Sequence, residues 1–267
     1  MGTVSVVIPS LNDARMLEQC LADLAAQTRA PDEIIVVDNG STDDTAAVAL
    51  AAGARMIREP VRGVLRATTA GFDAARGDVI GRLDADSRPA PDWVERLEAR
   101  FEADATLGAL TGTGVFYGCG PVLRTLAGIV YLGGYFWFMG MIIGRTPLFG
   151  SNFALRREVW NASRERVHLD DPRAHDDLDL SFALGPEVGV DYDRELHVGV
   201  SARPFDSGAG LRRRAAWAFH GIAVNWAEIG WLTRRRRCAQ GRRLRRAAQR
   251  AAAVRPLTRG SDQGLAA

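Results

Sequence analysis

Lysine is absent from this chain: all 34 basic residues among its 267 are arginine. So uniform a choice reads as coding bias rather than chemistry. Cysteine is scarce as well. Cys20, Cys119 and Cys238 lie far apart, so no pair marks a redox or metal site, and a reducing, cytosolic setting is the default. Strand-like residues begin at Val4, and no signal peptide is expected. Asn161-Ala162-Ser163 matches a glycosylation acceptor pattern, which carries no meaning in a cytosolic protein. There is no internal repeat. No glycine-rich phosphate loop stands near the amino end, which counts against a nucleotidyltransferase. A base-reading motif is missing too, so nucleic acid is not expected as a partner.

What is present is unevenly spread. Residues 1–200 hold 19 Arg against 29 acidic residues, a balance of −10, whereas residues 201–267 hold 15 Arg against 3, a balance of +12. An acidic body with a basic tail suggests an anionic surface as partner. The length and a 47% hydrophobic content support one large α/β domain with an appendage, or two small domains.

The first hundred residues alternate between two periods. Val4–Ile8 is a continuous apolar run, as in a buried parallel strand. Leu17, Leu21 and Leu24 give a helix face. Strands over Glu33–Val37, Ala54–Ile57 and Asp78–Leu83 alternate with helices over Thr42–Ala52, Leu65–Ala75 and Pro91–Ala103. That order implies a doubly wound, mostly parallel sheet flanked by helices. After Leu107–Val115 the pattern breaks. Thr125–Gly144 holds no charged residue and is long enough to be a membrane-span candidate. One crossing would separate the acidic motifs before and after it, and five glycines loosen it as a helix. A re-entrant or surface-lying hairpin and helices buried in protein remain, with membrane-interface contact favoured over plain core. Further on, Leu211, Ala215, Ala218, Ile222 and Trp226 form an apolar stripe flanked by Arg212–Arg214 and Arg234–Arg237, as in a helix lying in a membrane interface; the alternative is a helix packed on the body. Residues 247–267 read as disordered. The expected division is 1–205, including an apolar segment 121–146, and a basic C-terminal part 206–267.

The most informative residues are Asp84-Ala85-Asp86, just past the strand ending at Leu83. Two carboxylates one residue apart at a strand's carboxyl end can both reach one hard cation, whose other oxygens come from phosphates and water. Alone, such a pair usually marks a solvated turn.

Four segments together resemble the family 2 glycosyltransferases of the GT-A fold, over about residues 3–205. Val4 to Asn12 is similar to the family's opening strand and Pro-x-x-Asn loop, here Pro9 to Asn12, whose end contacts the nucleotide. Ile34 to Asp43 resembles a strand ending in Asp-Asp/Asn-Gly-Ser-Thr-Asp, which implies that Asp38 accepts a hydrogen bond from the base. Without the resemblance, Ser41 or Thr42 is a good helix cap and Asp43 and Asp44 serve the helix dipole. Gly63 to Gly71 keeps Arg66 of the family's pattern but has Thr68 and Thr69 where a second Arg and an Asn are usual. Arg66 then serves the diphosphate alone or is a surface charge. The resemblance implies metal binding by Asp86, with Asp84 on the ribose or a metal-bound water. Leu148 to Arg157, containing Asn152, resembles the segment beneath the sugar. Asp176 and Asp177 stand at its Glu-Asp acid pair, which makes Asp177 the catalytic base; a helix start favoured by its dipole is the plainer reading. Val200 to Pro204 resembles a Ser-Ala-Arg-Arg segment, which leaves Arg203 on the donor phosphates or on the surface. His197 and His220 are not expected to be ligands. The QxxRW motif of processive synthases is absent, so a single transfer per encounter is expected.

The resemblance thus implies a metal-dependent, inverting transferase using Mn2+ or Mg2+ and a UDP- or GDP-sugar, with an acceptor hydroxyl or phosphate that extends to lipid-linked acceptors. Peripheral membrane contact on the cytoplasmic side is the expected location. The alternative is a non-catalytic nucleotide-sugar sensor or scaffold.

Overall fold

The protein is represented by a computed structural model that describes residues 2–205 and 208–254. The side chains of Pro204 and Leu211 lie outside what is described, as do residues 255–267, where part of the expected disorder falls. The chain runs β1 (Val4–Ser10), α1 (Ala14–Ala25), β2 (Glu33–Asp38), α2 (Thr45–Ala51), β3 (Arg55–Arg58), α3 (Val64–Ala74), β4 (Val79–Arg82), β5 (Arg88–Pro89) and α4 (Trp93–Ala103). It continues through β6 (Leu107–Tyr117), α5 (Pro121–Leu126), a π-helical stretch (Ala127–Gly133), α6 (Gly134–Ile143), β7 (Phe153–Arg156) and α7 (Arg157–Ser163). It closes with α8 (Asp176–Ala183), β8 (Gly189–Ser201), α9 (Gly208–Glu228) and α10 (Trp231–Val254).

Eight strands form one sheet in the order β3-β2-β1-β4-β7-β6-β8-β5. The β3-β2-β1-β4 half is parallel, and β7 enters antiparallel between β4 and β6. Side chains of β1 alternate between two cores, as a strand covered on both faces requires. Val4, Val6 and Ile8 meet Leu17 and Leu24 of α1 and Trp93 of α4 on one face, while Val7 meets Leu65 and Phe72 of α3 on the other. Helix α3 lies so close that a methyl group at Gly71 would stand 2.3 Å from Val7, so glycine is needed there. The sheet matches the GT-A type expected from the sequence.

The second half departs from expectation in three places. Pro121–Ile143 is one continuous helical run rather than a hairpin. It is long and apolar enough to cross a membrane, yet its Met139, Ile142 and Ile143 pack on Leu178 and Phe182 of α8 and Ile222 of α9. Its outer face leaves Ile129, Val130 and Trp137 about 70% exposed (68%, 67% and 71%). The stripe of α9 that was expected to face a membrane instead joins that same inner cluster through Ala218, Ile222 and Trp226, since burial on the body removes the same apolar area from water. The basic stretch is partly spent on the body too. Arg234 donates to the Phe182 carbonyl, and Arg245 pairs with Asp104 and Asp191. Those ties extend α10 to Val254, so residues 247–254 are helical rather than disordered.

Candidate active site

The carboxyl ends of β1, β2 and β4, the loop before β7, the start of α8 and the first turns of α9 surround a cavity of about 610 Å3. Arg82, the last residue of β4, lies at its floor and is 2% exposed. Its guanidinium reaches Asp84 Oδ1 at 2.5 Å with one nitrogen and Asp176 Oδ2 at 2.7 Å with the other. It also donates to the Gly150 carbonyl. A buried arginine is tolerable only with this compensation. Burial opposes its charge, but Asp176, Asp84 and Asp177 together raise its pKa further above the ordinary value. A single fork of the kind that suits paired carboxylates therefore joins the two acidic motifs, which lie 92 positions apart by their numbering, Asp84 and Asp176.

Around that fork each carboxylate has a distinct setting. Asp84 sits deep, with 35% of its side chain open to the cavity. Burial disfavours its charge, but Arg82 and the hydroxyl of Ser151, 2.6 Å away, outweigh burial and hold its carboxyl below the usual range. Asp86 accepts from Arg203 at 2.7 Å, and Arg203 also grips Asp13 at 2.7 Å. Burial first, and then the charge of Asp84, push the Asp86 carboxyl up despite Arg203. Asp177 is held by two backbone amides, Gly150 N at 2.8 Å and Leu178 N at 2.7 Å. Burial and the neighbouring Asp176 charge raise its carboxyl above the usual range. A side chain at Gly150 would press on Asp177 Oδ2 at 3.0 Å and on Arg82. Asp176 takes a second bond at 2.6 Å from Thr68. Thr68 thus stands in place of the expected Arg and serves the acid pair from α3.

Of the residues singled out from the sequence, Pro9, Asp84, Asp86, Asp176, Asp177 and Arg203 line this one cavity. Four do not. Asp38 is buried at the end of β2 and accepts the Ser41 amide at 2.8 Å; its neighbour Asn39 reaches the cavity wall instead. Asn12, at φ 55°, accepts the Thr42 amide at 2.7 Å and ties the first loop to the second. Ser41 and Thr42 are therefore occupied with these loops rather than capping α2, whereas Asp43 accepts the amide of Thr45, the first residue of α2, at 3.1 Å and that of Ala14, the first of α1, at 3.0 Å. Arg66 points away on α3, where Val64 and Ala67 face the cavity, and pairs with Asp170 at 2.7 Å. Asn152 is fully buried, and its amide binds Trp93 Nε1 and the Thr113 and Leu196 carbonyls. His197 and His220 pair with Glu195 and Asp171. Sequence reasoning missed Arg82, which looked like any strand residue, and His175, whose ring nitrogen lies within 4.8 Å of Asp176 and Asp177 oxygens.

The donor set suits a hard divalent cation best at Asp84 and Asp86. All donors there are carboxylate oxygens, and Asp86 is under-compensated where it stands. The His175–Asp177 group offers a ring nitrogen in place of one oxygen, and its Asp176 is bound by Arg82 and Thr68 much as Asp84 is by Arg82 and Ser151.

Comparison with known proteins bears on this arrangement. The model of the family described as Glycosyl transferase family 2 matches residues 5–159, more than half of the chain. A protein of Mycobacterium tuberculosis named an uncharacterized glycosyltransferase is 39% identical over 104 residues, covering 39% of this chain and 46% of its own length. The undecaprenyl-phosphate 4-deoxy-4-formamido-L-arabinose transferase of Pseudomonas fluorescens is 37% identical over 109 residues, covering 37% of this chain and 32% of its own length. The chain thus spans less than half the length of these curated relatives. Among solved structures, glucosyl-3-phosphoglycerate synthase from Mycobacterium tuberculosis, crystallised with Mn2+, UDP and glucosyl-3-phosphoglycerate, is 25% identical. It covers 83% of this chain and 80% of its own, at a TM-score of 0.59.

Proposed function

The chain belongs to glycosyl transferase family 2, and we propose that it is a metal-dependent, inverting glycosyltransferase that moves a sugar from a nucleotide diphosphate donor to an acceptor hydroxyl or phosphate. The observation that carries this reading is Arg82, which holds Asp84 of the first acidic motif and Asp176 of the second in one cavity. Transfer at an anomeric carbon needs a proton acceptor facing the incoming hydroxyl and charge compensation for the departing diphosphate. Asp177 is the base: two amides aim it, and its raised pKa gives a carboxylate more basic than usual. Asp176 positions it through Arg82 and Thr68. Asp84 and Asp86 would hold the Mn2+ or Mg2+, which supplies positive charge to the diphosphate when bound. Pro9, Asn39 and Arg203 form the donor side, with Arg203 available to phosphate oxygens; Asn12 and Asp38 act by fixing the two loops that carry them. The donor is a UDP- or GDP-sugar. The Thr68 bond to Asp176 counters the sensor or scaffold reading, because this replacement adds a contact to the acid pair.

The location follows from the exposed apolar face of Pro121–Ile143, beside which Phe219, Trp231 and Leu232 are also exposed. Arg236 and Arg237 stand exposed next to them. Apolar surface rimmed with arginine fits peripheral contact with an anionic membrane on the cytoplasmic side. Both acidic motifs share one cavity, which supports a segment lying on the surface over one that crosses.

Calorimetric titration with UDP and GDP, each with and without manganese, tests the donor site. Manganese-dependent binding of one nucleotide is expected for the wild type and is expected to be lost in Asp84→Ala/Asp86→Ala. Absence of binding by folded wild type would remove the transferase reading.

A further inference from the structure

Opposite the carboxylates, the cavity is closed by the first turns of α9, and there the charges change sign. Arg213, Arg214 and Trp217 line this wall. Arg213 stacks over the Trp217 ring at 5.8 Å, and Trp217 in turn packs on His175 at 5.5 Å. Arg214 is close enough for its charge to be felt at Asp84 and at the Tyr131 hydroxyl. Yet among the described residues neither arginine has an ion-pair partner, in a molecule where Arg82, Arg203 and Arg245 each hold two carboxylates. Two arginines that face a cavity and hold no described carboxylate make an anion site, and the planar fork suits a phosphate in particular. Next to them the wall turns aromatic, with Tyr131 and Tyr135. The same helical run carries Ile129, Val130 and Trp137 outward to solvent. An occupant anchored at the arginines thus meets aromatic side chains of a run whose outer face is apolar.

We infer that Arg213 and Arg214 bind a phosphate group of the acceptor and so determine which acceptors the enzyme takes. The inference rests on the transferase reading only in naming the bound molecule an acceptor. Arg203, held by Asp13 and Asp86, remains the cation for the donor diphosphate, so the cavity holds two distinct anion sites. Two sources present the same chemistry: a small phosphorylated metabolite, or a phosphate at the end of a lipid chain.

The test titrates the full chain, loaded with manganese and the nucleotide it binds, with decyl phosphate, decanol and inorganic phosphate. Wild type is expected to bind decyl phosphate about ten- to a hundredfold more tightly than decanol, the range for charge-assisted contacts. The double variant Arg213→Gln/Arg214→Gln is expected to lose that preference while still binding manganese and nucleotide. Arg212→Gln, which removes an exposed charge from the same helix without reaching the cavity, is expected to keep it and serves as the folding control. Inorganic phosphate binding as tightly as decyl phosphate would support a small phosphorylated acceptor; preference for the chain-bearing phosphate would support a lipid one. Equal binding of decyl phosphate and decanol by wild type, or a preference that survives in the double variant, would overturn the inference. So would loss of nucleotide binding in the double variant, which would assign the pair to the donor diphosphate. Failure of wild type to bind any nucleotide, with the decyl phosphate preference intact, would strike the transferase reading and leave the phosphate site standing.

Discussion

Along the carboxyl ends of β1 and β4, each arginine at the cavity is shared by two carboxylates, and acid is left in excess. Asp13 and Asp86 share Arg203, and Asp84 and Asp176 share Arg82. Across the cavity, Arg213 and Arg214 hold no described carboxylate, and the helical run beside them turns Ile129, Val130 and Trp137 to solvent. A wall whose carboxylates are held by shared arginines keeps its geometry whether or not a ligand is present, which is what a reaction centre requires, and its excess of acid suits a cation. A wall with unmatched charge and bare apolar surface gains most when something binds. The contrast assigns chemistry and donor to the first wall and the acceptor with its surroundings to the second.

The sharpest way to test the first wall is to remove its base. Asp177→Asn keeps the shape and one of the two amide contacts but accepts no proton, and transfer is expected to fall by about 10²- to 10⁴-fold with nucleotide binding nearly unchanged. Retained turnover would take Asp177 out of that role. Next in size, Arg82→Ala removes the shared cation and leaves Asp84 and Asp176 without an ion-pair partner at the floor. A loss of about 3–5 kcal/mol in urea denaturation is expected, and a change below 1 kcal/mol would mean that the two acids do not depend on one another. The smallest effect concerns the second wall. Val130→Ser/Trp137→Ser is expected to lower co-sedimentation with phosphatidylglycerol liposomes roughly tenfold, from the apolar burial lost. Equal recovery of wild type in the supernatants of anionic and neutral liposomes would sink membrane contact.

The two walls also differ in how far they could be read from sequence. The parallel half of the sheet was legible because strands covered on both faces are continuously apolar, as Val4–Ile8 and Ile34–Val37 are. That Asp84, Asp86, Asp176 and Asp177 stand at one cavity was legible because paired acids at strand and helix ends stand out in a sequence. Arg82 was not, since nothing local separates a buried arginine from one at a strand edge; its burial depends on acids remote in sequence. Ser41 and Thr42 looked like helix caps because capping and loop-tying use the same hydroxyls, while Asp43 does meet the start of α2 as expected. The second half was misread where apolar stripes had two possible neighbours. The stripe of α9 faces Met139 and Ile142 rather than lipid, and periodicity does not record which surface a helix will meet. Residues 247–254 looked disordered by composition, but Arg245 and Gln249, through Asp104 and Asp191, hold that end of α10 to the body.

Asn152 gives the site a place in time as well as in space. Its amide joins Trp93, Thr113 and Leu196, partners separated from it by 59, 39 and 44 residues. Strands β1 to β4 all come from the first 82 residues, so a chain emerging from the ribosome can pair them early. The knot at Asn152, and with it the loop that supplies Gly150 and Ser151 to the acids, waits until Leu196 has been made. Ordering contacts of such long range is the slow part of folding a sheet protein. The nascent chain therefore carries Asp84 and Asp86 for more than a hundred further residues before the knot at Asn152 can close beside them.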